Sequence, residues 1–167
     1  MSKFDEMCDA AIESRRMWSE FRNWAYRELV TLVNGFVAHC EIPSDNISFL
    51  PLDKEPEERK KYAIPGATHY DKDGFWHLGL CLNLSRPKPG ATVFQQLVLI
   101  EICVTRKEGK MTVRLGREGR PRELDLTNQN QRKDFYDEIV GQVKHVYEAA
   151  TAEAIQNQTM VKIGFHS

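Results

Sequence analysis

The sequence lacks a long apolar run, an excess of charge of one sign and any closely spaced cysteine pair. No uninterrupted apolar segment approaches the roughly 18 residues needed to cross a membrane. The N-terminal segment mixes both charges without the apolar core of a secretion signal. Lys and Arg (23 residues) nearly balance Asp and Glu (24 residues), so no overall field attracts nucleic acid or an anionic membrane. We therefore expect a soluble cytoplasmic protein without membrane contact.

The cysteines are spread along the chain, without a CxxC pair or the histidine spacing of a zinc finger. They are Cys8, Cys40, Cys81 and Cys103. A structural zinc site is not expected, and the sequence predicts no metal and no other cofactor. Cys8 and Cys40 fall at apolar helical positions, where a free cysteine behaves as a small hydrophobic residue. This usage is consistent with a reducing cytoplasm.

Residues 1–40 have the periodicity of one long amphipathic helix. Apolar side chains recur at spacings of three, four and seven from Phe4 to Phe36, and charged residues lie mainly between them. A helix of about 35 residues is about 50 Å long, which is more than one small sheet covers. We expect it either to break near Gly35 or to pack against another subunit.

The remaining segments predict a sheet followed by a second helix. Residues 43–61 contain three prolines and the charged run EPEERKK, and they predict a solvated loop. Residues 62–126 alternate with a period of two, which predicts an antiparallel β-meander of three to five strands. A C-terminal helix is predicted over 131–156, and 157–167 is expected to be an edge strand or an ordered tail. The whole, 1–167, is predicted to be a single α+β domain with its helices on one face of the sheet.

The stretch DKDG (71–74) predicts a hairpin turn, because Asp tolerates turn geometry and Gly supplies a positive φ. This turn places His69 opposite His77 on adjacent strands. A calcium loop is the alternative interpretation, but its twelfth position is Leu80 instead of a glutamate. The two carboxylates are therefore interpreted as turn residues.

The later turn at Glu108-Gly109 fixes a second pairing. A two-residue loop sets Val104 against Val113 and Ile102 against Leu115, so apolar side chains meet on one face. The stretch SRPKPGA joins the two preceding strands. Across it, a register with Leu84 opposite Phe94 would place Leu80 opposite Val98 and His77 opposite Glu101.

The candidate site lies on the sheet face away from the leucines. His69, His77 and Glu101 would form one row there, with Cys103 opposite Arg114. A carboxylate orients an imidazole and raises its basicity, as a general base or a ligand would require. An arginine beside Cys103 would favour the thiolate. The alternative is that these side chains are only the polar contacts of a solvated sheet face.

A third candidate is the basic segment 106–122, which contains seven basic and two acidic residues. Nucleic acid would contact it through Arg114, Arg117, Arg120 and Arg122. It has no stacking aromatics and no groove-reading helix, so a solvated hairpin and loop is the simpler interpretation.

Three functional hypotheses follow, and no complete catalytic motif is present to favour an enzyme. The first is a small interaction or regulatory module, homodimeric or bound to another protein. The second is an enzyme or small-ligand-binding protein that uses His77, Glu101 and Cys103, with His69 and Arg114 as further ligand contacts. The third is nucleic-acid binding through 106–122.

Overall fold

The structure is a computed structural model that describes residues 1–85, 90, 96–149 and 160–164. A short 3-10 helix at Ser44–Asn46 accompanies the regular elements. The helices of the described part are α1 (Lys3–Cys40), α2 (Ile64–Ala67) and α3 (Gln129–Ala149). The strands are β1 (Ile47–Leu50), β2 (Thr68–Tyr70), β3 (Trp76–Asn83), β4 (Leu97–Lys107), β5 (Lys110–Leu115), β6 (Arg122–Glu123) and β7 (Met160–Ile163).

The strands form one sheet in the order β1-β3-β4-β5-β6. Both β1 and β2 pair with β3, at opposite ends of that strand. Similarly, β5 pairs with β4 from Ile102 onward, whereas β7 pairs with β4 between Leu97 and Ile100. All pairs are antiparallel except β4 with β7. The predicted α+β class with an N-terminal helix, a meander and a C-terminal helix is confirmed.

The main core lies between one sheet face and the helices. Alternate residues of the three central strands point into it: Trp76, Leu78, Leu80, Leu82, Val98, Ile100, Ile102, Val104, Met111, Val113 and Leu115. The helices meet them through Ala25, Leu29, Leu32, Val33 and Phe36 of α1 and through Phe135, Tyr136 and Ile139 of α3. The apolar side chains that recur every second residue in the strands thus pack against the apolar stripes of the helices in one interface.

Helix α1 runs without a break from its capping box to Cys40. Ser2 caps the N-terminus by accepting from the Asp5 amide, and Glu41 ends the helix in the left-handed region with φ 52°. The predicted break near Gly35 does not occur. Gly35 is instead a point of close approach to α3, because a Cβ built there would lie 2.1 Å from the Tyr136 hydroxyl oxygen.

This contact predicts a coupled effect on stability. The buried Tyr136 hydroxyl has no hydrogen-bond partner, so Tyr136→Phe is expected to be neutral or stabilising. Gly35→Ala alone should cost roughly 1–3 kcal/mol by overpacking, reduced by about 1 kcal/mol of helix propensity. In the Tyr136→Phe background most of that cost should disappear.

Urea unfolding of the wild type, Gly35→Ala, Tyr136→Phe and the double variant measures this coupling. Gly141→Ala in α3 is the matched control, because its Cβ would meet nothing within 4 Å and should gain helix propensity without a clash. An equal cost of Gly35→Ala in both backgrounds would show that the hydroxyl is not the obstacle.

Two sequence predictions about the sheet are wrong. The segment 43–61, expected to be a loop, contains strand β1, which pairs with β3 from Ile47↔Leu82 to Leu50↔Gly79. The β3–β4 register is displaced by two residues, so that Leu80 lies opposite Ile100 instead of Val98. The proposed partner Phe94 lies outside the described residues, and the Leu84 amide donates to the Gln96 carbonyl. A shift of two leaves every side chain on its expected face.

The other pairings predicted from turns are confirmed. His69 lies opposite His77, and Val104 lies opposite Val113 across the Glu108-Gly109 turn. For 157–167 the sequence left an edge strand and an ordered tail as alternatives; in the described part of this range, Met160–Ile163 form strand β7, which is parallel to β4. Helix α3 begins at Gln129, two residues before the predicted start, and residues 150–156 lie outside the described part.

Candidate functional site: a buried histidine, glutamate and cysteine

The second face of the sheet is covered by the chain itself. A Cβ built on Gly79 would lie 2.9 Å from the Leu52 side chain, so the segment after β1 lies across β3 on this face. At the other end of the face, the Arg114 guanidinium lies 4.0 Å from the centre of the Phe75 ring. His77 and Cys103 are fully buried, and Glu101 is 2% exposed. A solvated polar face therefore does not describe this surface.

His77 is at the centre of the buried polar groups. Its Nδ1 lies 2.6 Å from the Glu101 Oε1 and 3.3 Å from the Cys103 Sγ. Its Nε2 lies 2.9 and 3.0 Å from the two carboxylate oxygens of Asp73. We call His77, Glu101 and Cys103 the buried trio. The sequence selected all three, and the structure brings them together.

Strand pairing explains how the trio forms. Cys103 lies directly opposite His77, while Glu101 lies opposite Gly79, two positions along the same face. Gly79 has no side chain, so the Leu50 carbonyl and the Leu52 side chain can approach β3 closely beside the trio. The register differs from the predicted one, but the even displacement keeps His77 and Glu101 on one face.

Asp73 was missed as a site residue because its turn role was sufficient to explain it. Its Oδ1 accepts from the Phe75 amide at 3.0 Å, as expected in a turn. The same carboxylate contacts His77 and pairs with Arg114. The spacing of Asp73 and His77, four residues apart across a tight turn, was the available signal.

An outer ring of charge surrounds the trio. Arg114 pairs with Asp73, and Arg117 pairs with Asp71. The Nε of Arg117 also lies 3.9 Å from the Glu101 Oε1. Arg117 is 52% exposed and therefore lies between the buried Glu101 and solvent. The candidate ligand contact Arg114 is thus engaged within the chain, and three carboxylates face two arginines and His77.

The neighbours of His77 determine its protonation. Burial lowers its pKa, but hydrogen bonds with Cys103, Glu101 and Asp73 outweigh burial and raise the pKa to about 10. The His77 imidazole is therefore protonated at neutral pH, and both of its nitrogens donate hydrogen bonds. Its charge balances the third carboxylate of the cluster.

His69 is adjacent to the trio but does not join it. Its ring stacks on that of His77, with centroids 5.2 Å apart and planes inclined by 22°. Burial lowers the pKa of His69, although Asp53 partly opposes this effect. Its buried Nδ1 has no hydrogen-bond partner and lies 3.9 Å from the Asp53 carboxylate. His69 thus supports one side of the His77 ring.

No family model, curated protein or solved structure matches this chain. Within the described ranges, no helix is long and apolar enough to span a membrane.

Four of the five arginines of the basic segment 106–122 have partners within the chain, whereas Arg120 is exposed and forms no ion pair among the described residues. Arg122 pairs with Glu138 and lies over the Phe135 ring, and Arg106 lies over the rings of Phe21 and Trp24. With Arg114 and Arg117 also paired, these contacts supply no observation in favour of a nucleic-acid interface. The buried trio remains the strongest candidate for chemistry, since its three ligand atoms lie within 4.8 Å of one another.

Proposed function

We propose that the protein is a homodimeric interaction module whose two copies pair through the N-terminal half of α1. The observation that carries this proposal is the unequal burial of the helix. No residue before Ala25 is buried, although the apolar stripe begins at Phe4. The projecting segment, residues 3–22, bears the exposed side chains of Phe4, Met7, Ile12, Met17 and Trp18. At its base, the rings of Trp18 and Phe21 also contact Tyr70 and Trp76 of the sheet.

Such a segment needs a partner for physical reasons. Most helical stability in proteins comes from packing an apolar face, and a short isolated helix is marginal in water. The projecting segment is about 30 Å long at 1.5 Å per residue. Its positions 4, 7, 11, 14, 18 and 21 follow the alternating spacing of three and four that suits helix pairing.

Charge favours a second copy of the chain as that partner, in antiparallel orientation. Lys3–Glu13 contains one basic and four acidic residues, for a net charge of −3. Residues 14–27 contain four arginines and one glutamate, for a net charge of +3. Antiparallel pairing brings the acidic part of each copy beside the basic part of the other, whereas parallel pairing opposes like charges. The two sheets then lie at opposite ends of the pair.

A groove at the base of the projecting segment provides a place for the partner. It has a volume of about 670 Å³ and is lined by Ala10, Glu13, Ser14, Met17, Trp18, Phe21 and Arg106. In an antiparallel pair centred between residues 11 and 14, Phe4 and Met7 of each copy approach Phe21 and Trp18 of the other. The aromatic lining suits these apolar side chains.

A cytoplasmic location forms part of this proposal. All four cysteines are free thiols, and both Cys81 and Cys103 are buried in the sheet. Free thiols are typical of a reducing compartment.

A charge-reversal cycle tests the dimer. Arg15 and Arg22 are exposed and form no ion pair within the described part of the chain, so their reversal breaks no ion pair of the monomer. Sedimentation of the wild type should give twice the chain mass of 19.3 kDa. Arg15→Glu/Arg22→Glu should weaken the dimer by roughly tenfold or more, and adding Glu6→Lys/Asp9→Lys should restore it.

The control variant makes the same change in net charge at positions outside α1. Lys72→Glu/Lys144→Glu alters two exposed lysines outside α1 and should leave the dimer intact. A monomer at all concentrations would contradict the proposal, as would a fourfold variant that fails to recover dimerisation.

A further inference from the structure

We propose that the buried trio binds one divalent transition-metal ion, with zinc as the best-suited metal. Three different ligand types converge there from two adjacent strands: an imidazole nitrogen, a carboxylate oxygen and a sulfur atom. The proposal concerns the second sheet face and is independent of pairing through α1.

The spacing of the ligand atoms is close to that of a tetrahedral site. With Zn–N about 2.0 Å and Zn–S about 2.3 Å, a shared ion places N and S about 3.6 Å apart and N and O about 3.3 Å apart. The observed separations from His77 Nδ1 are 3.3 Å to Cys103 Sγ and 2.6 Å to Glu101 Oε1. The separation of His77 Nδ1 and Cys103 Sγ would therefore change little on metal binding. The separation of Nδ1 and Glu101 Oε1 must increase more, and a rotation of the Glu101 side chain would supply most of that increase.

The outer contacts are those that orient a histidine ligand. Metal-bound histidines commonly donate their second nitrogen to a carboxylate, which fixes the ring and its tautomer. Here Nε2 lies 2.9 Å from Asp73, and Asp73 is itself held by Arg114. The ring therefore directs Nδ1 toward Glu101 and Cys103.

Charge and ligand chemistry select the kind of ion. A divalent ion held by a thiolate, a carboxylate and a neutral imidazole leaves the buried trio without net charge, which lowers the desolvation cost of burying the complex. The mixed nitrogen, oxygen and sulfur set disfavours calcium and magnesium, which take oxygen ligands. Three protein ligands leave a fourth position for water or a small ligand.

Cobalt and zinc binding to the reduced, chelator-treated chain tests the assignment. To remove other soft ligands, the starting protein carries Cys8→Ser and Cys40→Ser. One equivalent of Co²⁺ should produce the absorption of thiolate-to-cobalt charge transfer, and equilibrium dialysis should retain one Zn²⁺ per chain. Cys103→Ser should abolish that absorption and weaken Zn²⁺ binding at least tenfold. Cys81→Ser, a buried thiol on the same face outside the trio, should change neither.

A positioning role for Asp73 gives a second, graded readout. Asp73→Asn should weaken Zn²⁺ binding by about 10- to 100-fold while retaining the thiolate-to-cobalt absorption, because the ligands remain and only the orientation of His77 is lost. Absence of the absorption in the starting protein would overturn the proposal whether or not the variants fold. Its persistence in Cys103→Ser would also overturn it.

Discussion

Replacing His77 by leucine in the metal-free protein is expected to lower the free energy of unfolding by about 3–5 kcal/mol. The substitution removes the group that lies 2.6 Å from Glu101 and 2.9 Å from Asp73. Asp73 is partly exposed and keeps Arg114 as its partner, but Glu101 is 2% exposed. Leucine fills a volume similar to that of histidine, so little packing is lost. The cost arises because the buried Glu101 carboxylate loses its compensating charge.

A double-mutant cycle separates this cause from simple loss of packing. Glu101→Leu should also be strongly destabilising, because it leaves the buried His77 imidazolium without its closest carboxylate. The double variant His77→Leu/Glu101→Leu replaces both charged partners by apolar groups, which is often neutral or even stabilising. We therefore expect the double variant to be more stable than either single variant.

Urea unfolding in the presence of a chelator measures all four proteins under the same conditions, since a metal bound only to the folded state would add its own stabilisation. Additive losses in the cycle would contradict a coupled ion pair. A loss below about 1 kcal/mol for His77→Leu would mean that Glu101 finds water or Arg117 without cost.

The helices and the faces of the strands were predictable because they depend on local periodicity. An apolar side chain that recurs every three or four residues must share a helix face with its neighbours, wherever the helix lies. The pairing of Val104 with Val113 was also predictable, because a two-residue turn fixes the register completely. In both cases, residues close in sequence determine the outcome.

The position of Glu101 and the existence of β1 depend on contacts between distant segments. Strand β3 ends at Asn83 and β4 begins at Leu97, and a long stretch of sequence between two strands does not specify their register as a tight turn does. Strand β1 is four residues long, lies between prolines, and is held through its pairing with β3. Asp73 illustrates a different limit. One side chain serves both the turn and the site, and the turn alone was a sufficient explanation for its presence.

Gly79→Val is expected to lower the free energy of unfolding by about 1–3 kcal/mol or more and to expose the buried trio. A Cβ at this position would lie 2.5 Å from the Leu50 carbonyl oxygen and 2.9 Å from the Leu52 side chain. Leu52 can rotate away, but a backbone carbonyl in a paired strand cannot. The segment after β1 should therefore move off the second face, although valine itself is a good strand residue.

Reaction of Cys103 with a thiol reagent, in protein whose other cysteines are serine, reports this opening directly. The wild-type thiol is fully buried and should react slowly, whereas Gly79→Val should accelerate its reaction well beyond what the loss of global stability explains. Gly66→Ala is the matched control, because its Cβ would make only an ordinary 3.9 Å contact with Tyr62. If Gly79→Val retained wild-type stability and an unreactive Cys103, the close approach of β1 could not be what seals the trio. If Cys103 reacts faster in Gly79→Val and added zinc slows that reaction, the covering segment and the metal site involve the same thiol. The ion would then bind the Cys103 sulfur that the displaced segment had covered.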